Sequence, residues 1–131
     1  GPMSPGQYAQ ALVRFAGGDG GALSPQAVVI DPAAEGFILQ MREISDLRIR
    51  RADNAVMEGI QLVSAALDQG MLKIHLGCRH LIDEFYAYCW DEAAQRAGQD
   101  KPLKQNDHAL DALRYALMAY KREIRRNFCG F

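Results

Sequence analysis

One short, continuous apolar run constrains the fold of this chain more than any other feature. The run is Ala27-Val28-Val29-Ile30, and Asp31-Pro32 ends it. Such a run, rich in β-branched side chains, is typical of a strand that is buried on both faces, as in a parallel sheet. Helical periodicity precedes it from Pro5 to about Gly17 and follows it from Ala33 to Glu43. The sequence therefore predicts a helix, a strand and a second helix in that order.

The same alternation continues to the end of the chain. Leu47 to Arg50 alternates apolar and charged residues and predicts a strand with one wetter face, and Met71 to Leu76 predicts a third short strand. Further helices are predicted from a cap at Asn54 to a stop at Gly70, from Arg79 to Trp90, and from about Asp107 to Arg126. This order predicts an α/β fold with a mostly parallel sheet flanked by helices. Because so few strands make an incomplete sheet, we expect its remainder to be missing or supplied by another chain.

The bulk composition fits one compact domain. The chain has 131 residues, of which 49% are hydrophobic, and a formal net charge of −1, so no global field draws it to nucleic acid or membrane. It has no apolar run that would span a bilayer and no secretory signal, and its widely spaced cysteines indicate a reducing compartment. The opening Gly1-Pro2-Met3 resembles a protease remnant before a start methionine, which leaves residues 4–131 as the expected domain.

A cluster of acidic and imidazole side chains opens the last predicted helix. Asp111 lies four residues after Asp107 and three after His108, so it is a helix neighbour of both. A divalent metal ion would explain the cluster, because gathered carboxylates repel one another without a cation. A second explanation stays open, in which Asp107 or Asn106 caps the helix and the acidic residues complement the helix dipole.

Asp31 is a second candidate, at the carboxyl end of the first predicted strand. Ligands of open α/β sheets bind outside this end of the strands, so a metal-binding carboxylate is expected there. The alternative is that Asp31 caps the helix that follows it, which is a common use of aspartate.

Two groups of basic residues are candidates for contacts with DNA phosphates. Arg48 and Arg50 lie on the second predicted strand, and Lys121, Arg122 and Arg125 lie near the end of the last helix. The alternative is that these side chains form a solvated surface and that those of the helix complement its dipole.

Several segments resemble one known family. The string NDHALDALRY, residues 106–115, closely resembles the motif near the end of the nuclease domain in large terminase subunits of tailed bacteriophages. Residues 28–37, VVIDPAAEGF, resemble the strand-Asp-helix segment of that domain, and residues 54–75 and 80–91 resemble its intervening elements in the same order. The resemblance covers nearly everything after about Ser4. It implies a ribonuclease-H-like fold and an endonuclease that cuts concatemeric viral DNA.

The resemblance also implies a site with two Mg²⁺ or Mn²⁺ ions, which favour carboxylate oxygens and activate water for phosphodiester cleavage. Asp31 matches the family's second acidic position, and Asp111 matches the third. His108 lies beside Asp111 in the motif, where it orients a water or contacts the phosphate, and Asp107 is an outer metal ligand or a cap. The implied partners are double-stranded DNA, the terminase ATPase domain, the small terminase subunit and the portal, in the cytoplasm of the bacterial host.

The chain departs from the family at its beginning. Family members carry a first acidic residue on an early strand, but Asp19, which precedes Asp31, lies among glycines, and no GxxxxGK[ST] motif of an ATPase occurs. We therefore expect weak or no nuclease activity from the isolated chain, and an exposed sheet edge that favours a homodimer. The alternative is a non-catalytic remnant or interaction module that binds DNA, the portal or another terminase subunit.

Overall fold

A computed structural model of the chain describes residues 2–17, 25–90 and 107–128. These residues form two compact units, Gly1–Asn54 and Ala55–Phe131, each with its own apolar cluster. Within the described ranges, every helix is too short or too polar to cross a membrane. The expectation that residues 4–131 form one domain stays a prediction.

A local signal starts the first helix, α1, which spans Pro5–Phe15. The Ser4 hydroxyl accepts a hydrogen bond from the Gln7 amide at 3.2 Å, and the Ser4 amide donates to the Gln7 side-chain oxygen at 2.8 Å. This reciprocal capping box, with proline at the first helical position, satisfies two backbone donors at the helix start. The helix predicted from Pro5 is therefore confirmed.

The first unit contains a parallel pair of strands joined through a helix. Strand β1 (Val28–Ile30) pairs with β2 (Ile49–Arg51), so that Val28 lies opposite Ile49. A 3₁₀ turn (Pro32–Ala34) and helix α2 (Glu35–Ile44) connect the two strands, since parallel strands need a crossover. The predicted strand, helix and parallel strand are confirmed. Burial of β1 on both faces was expected, and this is wrong, because all its residues keep intermediate exposure.

One apolar cluster holds the first unit together. Ile38 and Met41 of α2 are fully buried against Ala9 of α1 and Ile49 of β2. Ile38 and Met41 are three residues apart and therefore lie on one face of α2. If this face of α2 were not packed, the largest fully buried side chains of the described chain would be exposed to solvent.

The second unit is helical in its described part. It contains α3 (Val56–Asp68), α4 (Arg79–Trp90), α5 (His108–Ala119) and α6 (Lys121–Arg126). Helices α3 and α5 pack closely, and their apolar faces form a cluster whose buried members are Leu62, Ala66, Met118 and Phe128. Helix α4 spans the predicted residues, but α3 begins after Ala55 and receives no side-chain cap, so the predicted cap at Asn54 is wrong.

The third predicted strand, Met71–Leu76, is not a strand in the structure. The amides of Met71 and Leu72 both donate to the Ala66 carbonyl, at 2.9 and 3.1 Å, and Gly70 adopts a positive φ of 71° before them. These bonds close helix α3 in a Schellman-type cap, so the backbone donors that a strand would use are already engaged. The predicted stop of α3 at Gly70 is confirmed.

The last helix was predicted to be continuous to Arg126, and this is wrong, because it breaks at Tyr120. Tyr120 has φ −120° and ψ 24°, outside helical values, and α6 restarts at the next residue. Past the break, Ile124 and Phe128 pack against the cluster on α3 and α5. Tertiary packing therefore decides the break, since the sequence there has neither glycine nor proline.

Candidate functional site

Asp31 follows β1 directly and is held by the local backbone. Its Oδ1 accepts a hydrogen bond from the Ala33 amide at 2.9 Å, so Asp31 is the N-cap of the 3₁₀ turn. Its capping geometry is therefore confirmed. The carboxylate remains partly exposed at the carboxyl end of β1, which is the edge where ligands of α/β sheets bind.

Asp111 lies in the first turn of α5, where an ion pair restrains its side chain. Its Oδ1 contacts Nη2 of Arg114, three residues later on the same helix, and the two side chains are only 20% and 6% exposed. Arg114 was not among the predicted site residues. Its position carried a signal, because Leu110, Arg114 and Met118 recur every four residues and all three are buried on one face.

Asp107 precedes α5 and is buried, with only 6% of its surface exposed. It occupies the N-cap position, but its side chain makes no capping bond, so the capping explanation is wrong for Asp107. Its Oδ2 instead accepts a hydrogen bond from the Tyr88 hydroxyl of α4 at 3.3 Å. Burial, with the neighbouring charges of Asp107 and Asp111, raises the pKa of Tyr88 to about 12. The phenol therefore keeps its proton and stays a donor across the neutral range.

Glu84 of α4 supplies the cap that Asp107 does not. Its two carboxylate oxygens accept hydrogen bonds from the amides of Ala109 and Leu110, at 3.2 and 3.0 Å. These amides are among the unpaired donors at the start of α5, and a negative charge there also complements the helix dipole. No local pattern predicts this contact, because Glu84 lies 25 and 26 residues before its partners.

An open pocket of about 410 Å³ lies beside this helix start. Among the described residues, α4 and the exposed His108 of α5 line this pocket, with His80, Asp83, Glu84 and Ala87 on the α4 side. Asp107, His108 and Asp111 thus lie at the start of α5, as their spacing predicted, with Asp107 bound to Tyr88, Asp111 paired with Arg114 and His108 exposed. In the ranges 2–17, 25–90 and 107–128, no group of three or more His, Cys, Asp or Glu side chains is arranged to hold a metal ion.

The basic candidates differ in what they contact. Lys121 and Arg125 of α6 share one carboxylate, Glu58 of α3, with nitrogen–oxygen distances of 3.4 and 2.9 Å. The hydrogen bond from Arg125, followed by the contact with Lys121, keeps the pKa of Glu58 below its ordinary value despite some desolvation. Arg48 and Arg122 are exposed, and Arg50 is partly buried in β2. Glu58 therefore compensates part of the positive charge at the end of the chain.

Comparisons with known proteins agree on one family. The profile of the terminase RNaseH-like domain matches residues 8–120. The large terminase subunit of Escherichia phage T5 is 28% identical over 98 residues, which are 72% of this chain and 22% of that subunit. The large terminase of a thermophilic bacteriophage, in complex with ADP, matches with a TM-score of 0.74 and 35% identity, over 88% of this chain and 28% of that one.

A second structure of the thermophilic phage's large terminase, in complex with ATP-γ-S, matches with the same TM-score of 0.74 and 36% identity over 87% of this chain. The likeness confirms the ribonuclease-H-like α/β fold that the sequence predicted. The chain spans about a quarter of the length of these relatives, at 22% and 28%.

Proposed function

Because the chain belongs to the family of terminase RNaseH-like domains, we propose that it is part of a metal-dependent endonuclease that cuts concatemeric double-stranded DNA during phage packaging. One observation carries this proposal. The family match over residues 8–120 includes Asp31 and Asp111, and each carboxylate is held in place by a specific contact. Asp31 is fixed by the backbone after β1, and Asp111 is fixed by Arg114 in the first turn of α5.

The donor chemistry of these residues suits Mg²⁺ or Mn²⁺. Both ions favour carboxylate oxygens and water, and Asp31 and Asp111 are carboxylates that keep part of their surface exposed. We propose that Asp31 and Asp111 are each metal ligands, at the family's second and third acidic positions. When bound, such ions activate the attacking water and stabilise the leaving oxygen of the phosphodiester. Asp107 was a candidate ligand, and its burial and its bond from Tyr88 favour an outer role in which it fixes the helix start.

His108 is the exposed member of the motif and lines the pocket beside α5. A neutral imidazole there is able to orient a water, and a protonated one is able to contact a phosphate oxygen. Both roles place His108 at the DNA rather than in the core. His108→Ala is therefore expected to lower cleavage without lowering the temperature of unfolding.

The basic residues differ in how available their charge is for DNA phosphates. Arg48 and Arg122 are exposed and suit phosphate contacts, with Arg50 beside Arg48 on β2. Lys121 and Arg125 already share Glu58, so their net attraction for phosphate is smaller. Each phosphate contact that is lost is expected to reduce the salt dependence of DNA binding by about one ion.

The chain covers 22% of the length of the large terminase subunit of phage T5. We propose that the ATPase domain, the small terminase subunit and the portal are its partners, in the cytoplasm of the bacterial host. We also propose weak or absent nuclease activity for the chain in isolation, because Asp31 and Asp111 account for only two of the family's acidic positions. We also propose that the chain self-associates through the edge of the small sheet. Light scattering during gel filtration tests this, and a clean monomer would argue against it.

Plasmid cleavage tests the proposal. Supercoiled plasmid is incubated with Mn²⁺ and a high concentration of the chain, beside Asp31→Ala and Asp111→Ala, while binding of Mn²⁺ is measured separately. Asp46→Ala and Asp68→Ala are matched controls, since both remove exposed carboxylates from the same two units. We expect slow nicking that is lost in the first two variants and kept in the controls. Cleavage that is unchanged in Asp31→Ala or Asp111→Ala would overturn the assignment of that residue, and a chain that does not bind Mn²⁺ would favour the non-catalytic interaction module.

A further inference from the structure

Arg114 is a buried cation whose ion-pair partner is one of the two proposed metal ligands. It lies between Leu110 and Met118 on the buried face of α5, yet its Nη2 contacts Oδ1 of Asp111 at the partly exposed helix start. Its guanidinium also lies 5.5 Å from the centre of the Tyr115 ring, within the range of a cation–π contact. Two neighbours on the same helix thus restrict where the guanidinium lies.

Burial of the Arg114 guanidinium carries a cost in hydrogen bonding. Nη1 of Arg114 is buried and has no hydrogen-bond partner among the residues that the structure describes, and a buried donor without a partner is unfavourable. Apolar side chains of similar volume commonly replace buried ion pairs with equal or better stability. A leucine or methionine at position 114 alone would instead leave the mostly buried Asp111 carboxylate without its cation, which is unfavourable. The arginine needs a reason that lies in what its charge contacts.

Helix α3 leaves room for the arginine stem. Gly59 faces it, and a Cβ atom added there would lie 3.2, 3.3 and 3.4 Å from Cδ, Cβ and Cγ of Arg114. Such distances are tighter than ordinary van der Waals contact, so a side chain at this position would press on the stem. Gly59 lies inside a helix, where glycine is usually unfavourable. Its small size offsets this cost, because it leaves room for the stem of Arg114.

We propose that Arg114 is a positioning residue, which fixes one oxygen of Asp111 so that the carboxylate meets a divalent cation in a single orientation. This inference rests on the proposed function, in which Asp111 binds the metal. Groups that orient a metal ligand commonly change metal affinity or activity by about ten- to hundred-fold when removed. An opposing effect exists, because the positive charge of Arg114 repels a cation nearby. Orientation and repulsion predict opposite results when the arginine is replaced.

The first experiment measures Mn²⁺ binding through the electron paramagnetic resonance signal of the free ion. Wild type, Arg114→Met and Arg114→Lys are compared, and the unfolding temperature of each is recorded. We expect Arg114→Met to bind Mn²⁺ at least about ten-fold more weakly and to unfold at a lower temperature, because the Asp111 carboxylate loses its partner. Arg114→Lys keeps the charge without the planar fork and is expected to restore part of the affinity. Unchanged or tighter binding in Arg114→Met would overturn the proposal.

A gentler variant separates position from charge. Gly59→Ala keeps Arg114 and pushes its stem by a few tenths of an ångström, whereas Gly36→Ala in α2 adds the same methyl group where nothing lies within 4 Å. We expect Gly59→Ala to weaken Mn²⁺ binding several-fold and Gly36→Ala to leave it unchanged. Equal affinity in both variants would contradict a role for the position of the arginine.

The same measurements distinguish this inference from the proposed function. If the wild type binds Mn²⁺ and Asp111→Ala does not, but the Arg114 variants match the wild type, the positioning role alone is wrong. If the wild type does not bind Mn²⁺, the metal site itself is wrong and the positioning role falls with it. If Arg114→Met loses heat stability while its Mn²⁺ affinity is unchanged, Arg114 is a structural residue only.

Discussion

Helices α1 and α5 begin in opposite ways. Helix α1 is capped by its own neighbours, because Ser4 and Gln7 exchange hydrogen bonds across three residues. Helix α5 carries the proposed catalytic motif, yet the residue at its N-cap position, Asp107, makes no capping bond, and Glu84 of another helix takes that role. A local cap forms whenever its short segment is helical. The start of α5 is ordered only when α4 packs against it.

Among the substitutions that test this comparison, Glu84→Ala is expected to have the largest effect. It leaves the amides of Ala109 and Leu110 without their acceptor, and an unsatisfied, partly buried donor costs about 1–3 kcal/mol. Hydrogen exchange at these two amides measures the effect, since about 1.4 kcal/mol corresponds to a factor of ten. Asp83→Ala, an exposed carboxylate beside it on α4, is the control and is expected to leave both amides protected. Equal protection in all three proteins would show that α5 needs no cap from α4.

Gly70→Ala tests a local helix end in the second unit, and its expected effect is close in size to that of Ser4→Ala. Gly70 has φ 71°, a conformation that costs a residue with a Cβ atom about 1–2 kcal/mol. Part of this cost is offset, because alanine lowers the entropy of the unfolded chain by about 0.4–1 kcal/mol. Urea unfolding should show a net loss of about 1 kcal/mol or less. Gly36→Ala, which lies inside α2 with open space around it, should instead gain stability.

Ser4→Ala removes the local cap of α1 and is expected to cost about 1 kcal/mol. Because the capping box is exposed and lies within one short segment, faster amide exchange should stay within the first turn of α1. Ser64→Ala, at an exposed position inside α3, is the control and should be neutral or slightly stabilising. Faster exchange at α5 in Ser4→Ala would show that the two helix starts are coupled.

Tyr88 gives the smallest effect, which appears only in alkaline solution. Because the pKa of Tyr88 is raised from 10.0 to about 12, the folded state holds the phenol proton more tightly than the unfolded state does. The resulting stabilisation is fully present below pH 10 and is lost as the pH rises through about 12. Tyrosinate absorbance should show one transition near pH 12 that Tyr88→Phe removes and Tyr86→Phe keeps. A spectrum with no transition in that range would contradict the buried bond to Asp107.

The sequence predicted most of the elements but not all of their ends. The helix starting at Pro5, the strand at Val28, the stop at Gly70 and the span of α4 follow from signals within a few residues of each element. The strand predicted at Met71–Leu76 failed because its first amides close helix α3. The break at Tyr120 was missed because no local residue type marks it, and the packing of Phe128 decides it.

The sequence likewise predicted some features of the candidate site and missed others. The cluster of Asp107, His108 and Asp111 followed from helical spacing alone, and the cap made by Asp31 was the alternative that its place before the next helix offered. Arg114 was readable as a buried residue from its four-residue spacing to Leu110, although its contact with Asp111 was not predicted.

By itself, the sequence determined which residues become helix and strand and which carboxylates gather at the start of α5. These outcomes depend on periods of about two and 3.6 residues and on caps within a few positions, which are properties of short segments. Only the tertiary structure decided that Glu84 caps α5, that Tyr88 holds Asp107, and that Gly59 leaves room for Arg114. Such contacts join residues that are far apart in the chain, so they exist only after the helices have packed.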